Sequence, residues 1–309
     1  MLCACGHGDL RLQSTRSAHV LLTLTALCLA GNHVIARSVH GEIPPVGLSF
    51  WRWLVGALFL LPFVLPRFYK LAPAYWASLR VLTMLGCIIV GSTTILLIAL
   101  NFTTATNVSL INAVQPVLTV VLAVVFLKDR ITAKSVLGIF AALLGVVITL
   151  SMGRWSALTN VQFNTGDLIA LAAILGLATY ALNLRKLPQG LSVVESLFGI
   201  MVMGSVMLLP FYVLESVFYK PVEFRAPTVV VVIELALLVS VFGNLMWYLG
   251  NLMIGPSRAA IFINLIPIFG AILAVTFLGE TIFSYHLAGG TMICFGVWLV
   301  TRDRSQSVN

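Results

Sequence analysis

Long apolar runs alternate along the chain with short breaks built from proline, glycine and charge. A hydrocarbon core of about 30 Å needs roughly 20 residues of helix. On that measure the pattern predicts ten transmembrane helices, over residues 18–36, 46–65, 76–99, 107–127, 133–151, 167–185, 194–216, 228–250, 257–278 and 283–301. The breaks Pro44-Pro45, Pro66 with Arg67, Lys128-Asp129-Arg130, Arg185-Lys186-Leu187-Pro188 and Gly255-Pro256 all disfavour a continuous apolar helix. The stretches between runs are too short for a soluble module, which argues against a scaffold or sensor.

Composition agrees with an all-α integral membrane protein. Of 309 residues, 60% are hydrophobic and 9% charged, with a mean hydropathy of +1.06, whereas soluble domains carry about 25% charged residues. A net charge of +8 could mark a nucleic-acid partner, but no soluble basic face exists to bind one. The charge instead sets an orientation, because cytoplasmic loops accumulate Lys and Arg. With both termini inside, 13 of the 18 basic residues fall in cytoplasmic segments and four (Arg37, Arg154, Lys220, Arg225) outside, leaving Arg52 within a span. The expected location is therefore the cytoplasmic (inner) membrane. The basic head before the run from Val20 could also open a signal peptide, but ten crossings fit the charge bias with this run as the first span. Cys3 and Cys5 have no second ligand pair, so no metal or other cofactor is expected, and Cys28, Cys87 and Cys294 lie in apolar runs and imply no disulfide framework.

A shift of 151 residues aligns PVLTVVLAVVFLKDRITAKSVLGIFAALLGV, from Pro116, with PIFGAILAVTFLGETIFSYHLAGGTMICFGV, from Pro267, and ten of 31 positions are identical. The informative matches are Pro116 with Pro267, Gly138 with Gly289 and Gly145 with Gly296, and Asp129 falls on Glu280. The chain then divides into a tail (1–17), a five-helix repeat (18–151), a linker (152–166), a second five-helix repeat (167–301) and a short tail (302–309). Five crossings is an odd number, so the halves are expected to be inverted. Inverted repeats supply two equivalent access states around a midplane site, an arrangement suited to secondary transport.

The first-span ending GNHVIAR, the segment PPVGLSFWRWLVGALFLLP, the segment NAVQPVLTVVLAVVFLKDRIT and the segment GPSRAAIFINLIPIFGAILAVTFLGETI resemble the EamA family of the drug/metabolite transporter superfamily over roughly residues 18–301. The chain departs from that family at Ala30-Gly31, where a Trp-Gly pair is common, and at Lys128-Asp129-Arg130, where Gly-Glu is usual. The resemblance implies a cavity between the halves, small-metabolite cargo and often export of amino acids or related compounds. Multidrug, nucleoside or sugar carriers share the fold.

Polar groups within spans are costly in lipid and are the natural candidates for cargo binding. Arg52, between Trp51 and Trp53, offers a bidentate fork for a carboxylate or phosphate, or else snorkels to headgroups about two helical turns away. Asn32 and His33 lie near the end of the first span, Asn32 matching Asn183 under the repeat, and His33 could couple protons to transport. Asn112 and Gln115 precede Pro116, as Asn264 precedes Pro267, and each proline frees a backbone carbonyl. In the eighth span Asn244, Trp247, Tyr248 and Asn251 form a stripe suited to stacking, to an interfacial belt or to core packing. Glu234 is the acid deepest in a span, near its outer end, whereas Asp129 and Glu280 read as caps or gate contacts. No GxxxxGK[ST], HExxH or GxSxG occurs, so neither ATP drive nor the lipase or protease chemistry of a lipid-acting membrane enzyme is encoded by these motifs.

Overall fold

The computed structural model describes residues 15–38, 43–103, 105–129, 131–153, 164–188, 190–278 and 283–302, with the side chains of 32–38, 105, 106, 274, 277 and 278 excluded. Ten helical rods make up these residues, and no strand occurs among them. They are α1 (Thr15–Ser38), α2 (Pro45–Val64), α3 (Phe68–Ala99), α4 (Ala105–Ala113 and Gln115–Leu127) and α5 (Ala133–Leu150). The second set is α6 (Thr165–Asn183), α7 (Val193–Phe218), α8 (Ala226–Glu234, Leu235–Gly243 and Asn244–Ile254), α9 (Pro256–Ala260, Ile261–Leu265 and Ile266–Leu278) and α10 (Ser284–Arg302). Helix is what lipid demands, since a backbone group without a partner in hydrocarbon costs several kcal/mol. Seven stretches among the described residues are long and apolar enough to cross a membrane, the longest being Pro45–Ala99, in which α2 passes into α3 through a 3₁₀ turn at Leu65–Arg67. Large apolar side chains such as Phe140 of α5 and Phe211 and Val217 of α7 face outward, as a lipid-solvated surface requires. The molecule is a multi-pass membrane protein.

Local chemistry explains half of the rod starts. Pro45 and Pro256 occupy the first turns of α2 and α9, where the missing N–H removes nothing. Thr132 caps α5 by accepting from Ser135 N at 3.2 Å, and Asn164 with Asp167, like Ser192 with Glu195, closes a capping box at α6 and α7. One boundary departs from expectation. Helix α3 begins at Phe68, eight residues before the predicted 76, and carries Pro73 in its interior; its polar first turns extend the rod beyond the apolar run.

Within the described rods, irregular backbone occurs in α4, α8 and α9. A one-residue break at Val114 precedes Pro116, and the 3₁₀ segment Ile261–Leu265 precedes Pro267. In each case the proline cannot donate to the carbonyl four residues back. In α8, nine residues wind as π-helix, longer than the usual single-turn bulge.

Packing follows the repeat. Helix α5 lies against α10, α2 against α7, α3 against α6 and α7, α4 against α6, α1 against α8 and α9, and α2 against α8. Exchanging each rod for its partner five places along converts α3–α6 into α8–α1, α4–α6 into α9–α1 and α3–α7 into α8–α2, while α2–α7 and α5–α10 map onto themselves. The α5–α10 crossing is closest. A Cβ added to Gly138 would lie 2.8 Å from the Gly296 carbonyl oxygen, and one on Gly145 would lie 2.5 Å from that of Gly289. Under the repeat each of these contacts becomes the other.

Candidate functional site

Rod ends meet in two sets, and these bracket the interior. At the near end, where α1 starts, Ser257 Oγ at the head of α9 donates to Asp129 Oδ2 at the foot of α4 (3.1 Å), and Tyr75 Oη of α3 donates to the Glu195 carbonyl of α7 (2.9 Å). His19 of α1 stacks near Phe262 of α9 there, with ring centroids 5.5 Å apart. At the far end, the Glu215 carboxylate of α7 accepts from the backbone N–H groups of Val46 (3.1 Å) and Gly47 (2.6 Å), so that an acid from one half caps a helix of the other. Trp51 Nε1 donates to Tyr212 Oη (3.1 Å), and Phe50 stacks on the Tyr212 ring at 4.6 Å. Asp167, buried at the head of α6, accepts from Asn107 Nδ2 and Thr103 Oγ1 of the α3–α4 corner.

Arg52 lies seven residues along α2, about 10 Å from its start at 1.5 Å per residue. Neighbouring polar groups on α2 are satisfied by α3: Ser49 Oγ and Thr94 Oγ1 are 2.7 Å apart, and Trp53 Nε1 donates to Thr93 Oγ1 at 3.3 Å. Arg52 is not. It is 5% exposed, its Nε is fully covered without a hydrogen-bond partner, and its guanidinium carbon stands over the Trp53 ring, 5.2 Å from the centroid. The one ion pair among the described residues is Arg225 with Glu223, on the surface. A side chain this covered is turned into the bundle and does not snorkel along the lipid face. A guanidinium in that setting is a costly charge whose natural partner is an anion.

Helices α8 and α9 contribute neutral groups. In the π segment Val239 O accepts from the backbone N–H of Asn244 and also from its Nδ2 at 3.0 Å, and Thr25 Oγ1 of α1 lies 3.4 Å from Gly243 O. Ser240, within the π segment, is buried with its hydroxyl unpartnered, 3.5 Å from where a Cβ on Gly56 of α2 would stand. Asn251 (1% exposed) and Asn264 (2%) are buried with both amide atoms unpartnered, as is Asn112 Oδ1. Buried amides are normally bonded, and an unmade bond costs about 1–3 kcal/mol. Trp247 and Tyr248 lie in the main core, as does Tyr180 of α6. A crevice of about 170 Å³ between α2 and α7, lined by Phe50, Leu54, Val202, Ser205, Val206 and Leu209, is separate from these groups and almost wholly apolar.

The sequence candidates therefore divide. Arg52, Gln115, Trp247, Tyr248 and Asn264 are buried and Asn112 partly so, which places the eighth-span stripe inside the bundle and not in an interfacial belt. Asn183 donates to Thr179 O of its own helix (2.8 Å), and Asn244 is occupied with Val239. Asp129 serves Ser257 and no cap, while Glu234 is half-buried at the end of the first α-helical part of α8. The side chains of Asn32 and His33, and Glu280 altogether, lie outside the described residues. Sequence reasoning missed Glu215, Asp167, Glu195 and Ser240. Asn164-x-x-Asp167 and Ser192-x-x-Glu195 are readable capping boxes, but nothing local signals that Glu215 meets a helix start 168 residues away.

Among known proteins, the model of the EamA-like transporter family matches residues 16–151 and again 164–302. An uncharacterized transporter of Archaeoglobus fulgidus is 28% identical over 93% of this chain and 98% of its own length, and the uncharacterized transporter YyaM of Bacillus subtilis is 28% identical over 85% and 86%. A probable terminal-alkyne amino-acid exporter of Streptantibioticus cattleyicolor is 29% identical over 64% of each chain. A solved crystal structure superposes with a TM-score of 0.73 at 18% identity, covering 93% of this chain and 96% of that one, which establishes likeness of fold. With each half matched separately and together spanning nearly all of the molecule, the chain belongs to the EamA-like transporter family.

Proposed function

We propose that this protein is a secondary carrier, not an enzyme, that exports a small metabolite across the cytoplasmic membrane by alternating access, with amino acids and related carboxylates as its cargo class. The observation that carries the reading is the covered, unpaired guanidinium of Arg52, a buried cation inside an apolar helix. Such a group is stabilised by a ligand that supplies what the protein withholds. Ten crossings in two inverted halves are supported by the helix pairings that exchange under the 151-residue shift, and cytoplasmic termini by the bias of Lys and Arg. Cross-half contacts at the two ends, Asp129 with Ser257 and Glu215 with the start of α2, are suited to act as gates that open in alternation. Arg52 holds the anionic group, the amides of α8 and α9 read polar atoms, and Trp247 and Tyr248 cover the apolar remainder.

Counterflow in proteoliposomes tests the proposal. Vesicles are preloaded with single unlabelled amino acids, nucleosides or sugar acids, and uptake of the labelled compound is followed for the wild type and Arg52→Ala. Transient accumulation of a carboxylate that Arg52→Ala abolishes is the expected result. Folded protein that exchanges none of the panel would overturn the cargo assignment.

A further inference from the structure

Two tryptophans flank Arg52, and they are used differently. Trp51 turns to α7 and the connection after it, where it meets Tyr212 and Phe224 at the far end. Trp53 turns inward: it is 1% exposed, lies in the main core, and its Nε1 donates to Thr93 Oγ1 of α3. That hydroxyl is itself held, donating to Ile89 O at 2.9 Å, so it is fixed as an acceptor for the indole. Successive helix residues point about 100° apart and do not ordinarily meet. The Arg52 guanidinium nevertheless stands over the Trp53 ring. The side chain has therefore folded around α2 onto the indole, which puts its charge on the α3 side of the helix. A similar pair, Arg302 with Trp298, lies on exposed surface. At Arg52 both partners are buried, the setting in which a ring face attracts a cation most strongly. Under the repeat, Arg52 and Trp53 correspond to Met203 and Gly204, so cation and ring are present together in one half and absent together from the other.

We infer, resting on the carrier reading above, that Trp53, braced by Thr93, is the residue that positions Arg52 for the anionic group of the cargo. An acidic side chain in its place would neutralise the guanidinium and occupy its fork, and cargo would have to compete with it. A ring face attracts the cation through its quadrupole yet adds no charge. The guanidinium therefore stays positive, and its Nε, which has no hydrogen-bond partner, stays open. The indole also lowers the cost of holding an uncompensated cation while no cargo is bound. An arginine side chain is otherwise free about several bonds, and fixing it beforehand removes that entropy loss from the binding step. Thr93 sets the ring, the ring sets the guanidinium, and cargo meets a donor fork already in place.

Counterflow in proteoliposomes and melting in detergent, both on the whole protein, test this, with leucine, phenylalanine and their 2-oxo acids as carboxylate probes. For a probe that wild type exchanges, Trp53→Leu should raise the half-saturation concentration about tenfold with the maximal rate little changed, whereas Trp53→Phe, which keeps a ring face, should stay within about twofold. Thr93→Val, of nearly the same shape but without the acceptor, should raise it about threefold, and it decides the matter if Trp53→Leu does not fold. The melting temperature lost on Trp53→Leu should be smaller by about 2 °C or more in the Arg52→Met background than in wild type, because the stacked cation is then absent. An unchanged half-saturation concentration in Trp53→Leu or Thr93→Val, a Trp53→Phe as impaired as Trp53→Leu, or melting losses that simply add would each overturn the inference and leave the carrier standing. Folded wild type that exchanges none of the four probes overturns the carboxylate cargo and, with it, this inference.

Discussion

The α5–α10 crossing and the interior around α2, α8 and α9 respond to the repeat in opposite ways. At the crossing, repeat-related positions are identical and do the same job: Gly138 meets Gly296 as Gly289 meets Gly145. In the interior, repeat-related positions disagree. Arg52 corresponds to Met203, Tyr248 to Leu97, Asn251 to Leu100 and Asn264 to Ala113. Helix α3 is α-helical throughout, whereas its counterpart α8 contains nine residues of π-helix. The halves have kept what holds the rods together and parted where unpartnered polar groups gather.

The largest expected effect lies at the crossing. Gly145→Leu should cost about 3 kcal/mol or more, because its side chain must enter backbone of α10 that cannot retreat. Gly91→Ala in α3, with nothing within 4 Å of its Cβ, should be neutral or slightly stabilising. Melting in detergent compares the two, and equal outcomes would erase the distinction between crossing and interior. Next comes Arg52→Met, which installs the residue of the repeat mate. It should abolish counterflow while raising stability by about 1–4 kcal/mol, since an uncompensated buried charge gives way to an apolar chain of similar length. A lowered melting temperature would mean that the guanidinium stabilises the fold and would remove the anion-site argument.

Smaller is Glu215→Ala, which deletes an acceptor of two backbone N–H groups and should lower stability by about 2 kcal/mol. It should also raise the labelling rate of a cysteine placed at Val46, if this contact closes the far end. The smallest is Asn251→Leu, again a repeat mate, expected to gain about 1 kcal/mol by deleting two unmet hydrogen-bonding groups and to slow transport. Asn244→Leu should change stability less, because Val239 O keeps the backbone N–H of the same residue as a donor.

Much of this fold was legible in the sequence because lipid imposes a simple rule on chain length and polarity. The apolar runs fall on the rods, and Pro116 and Pro267 fall just after the breaks in α4 and α9. The polar first turns of α3 were not legible, since Lys70 and Pro73 read as a loop where helix continues. Nor was the π segment, whose sequence LALLVSVFG offers no breaker before Gly243. Within the site, Arg52 stood out as a charge in an apolar run. Which amides were free was not readable, because Asn183, Asn244, Asn251 and Asn264 look alike in sequence and differ in whether a carbonyl lies within reach.

The glycine crossing also has a mechanical side. Helices α5 and α10 interlock backbone to backbone, and beyond each other they pack substantially against α4 and α9 alone. A pair so tightly meshed can slide or splay little, so in the carrier proposed above it would serve as an axle, and the rods seated on it are the two that are broken ahead of a proline. Torque between the halves would then be taken up as bending at Val114 and at Ile261–Leu265, which puts the flexure points of the machine beside its fixed bearing.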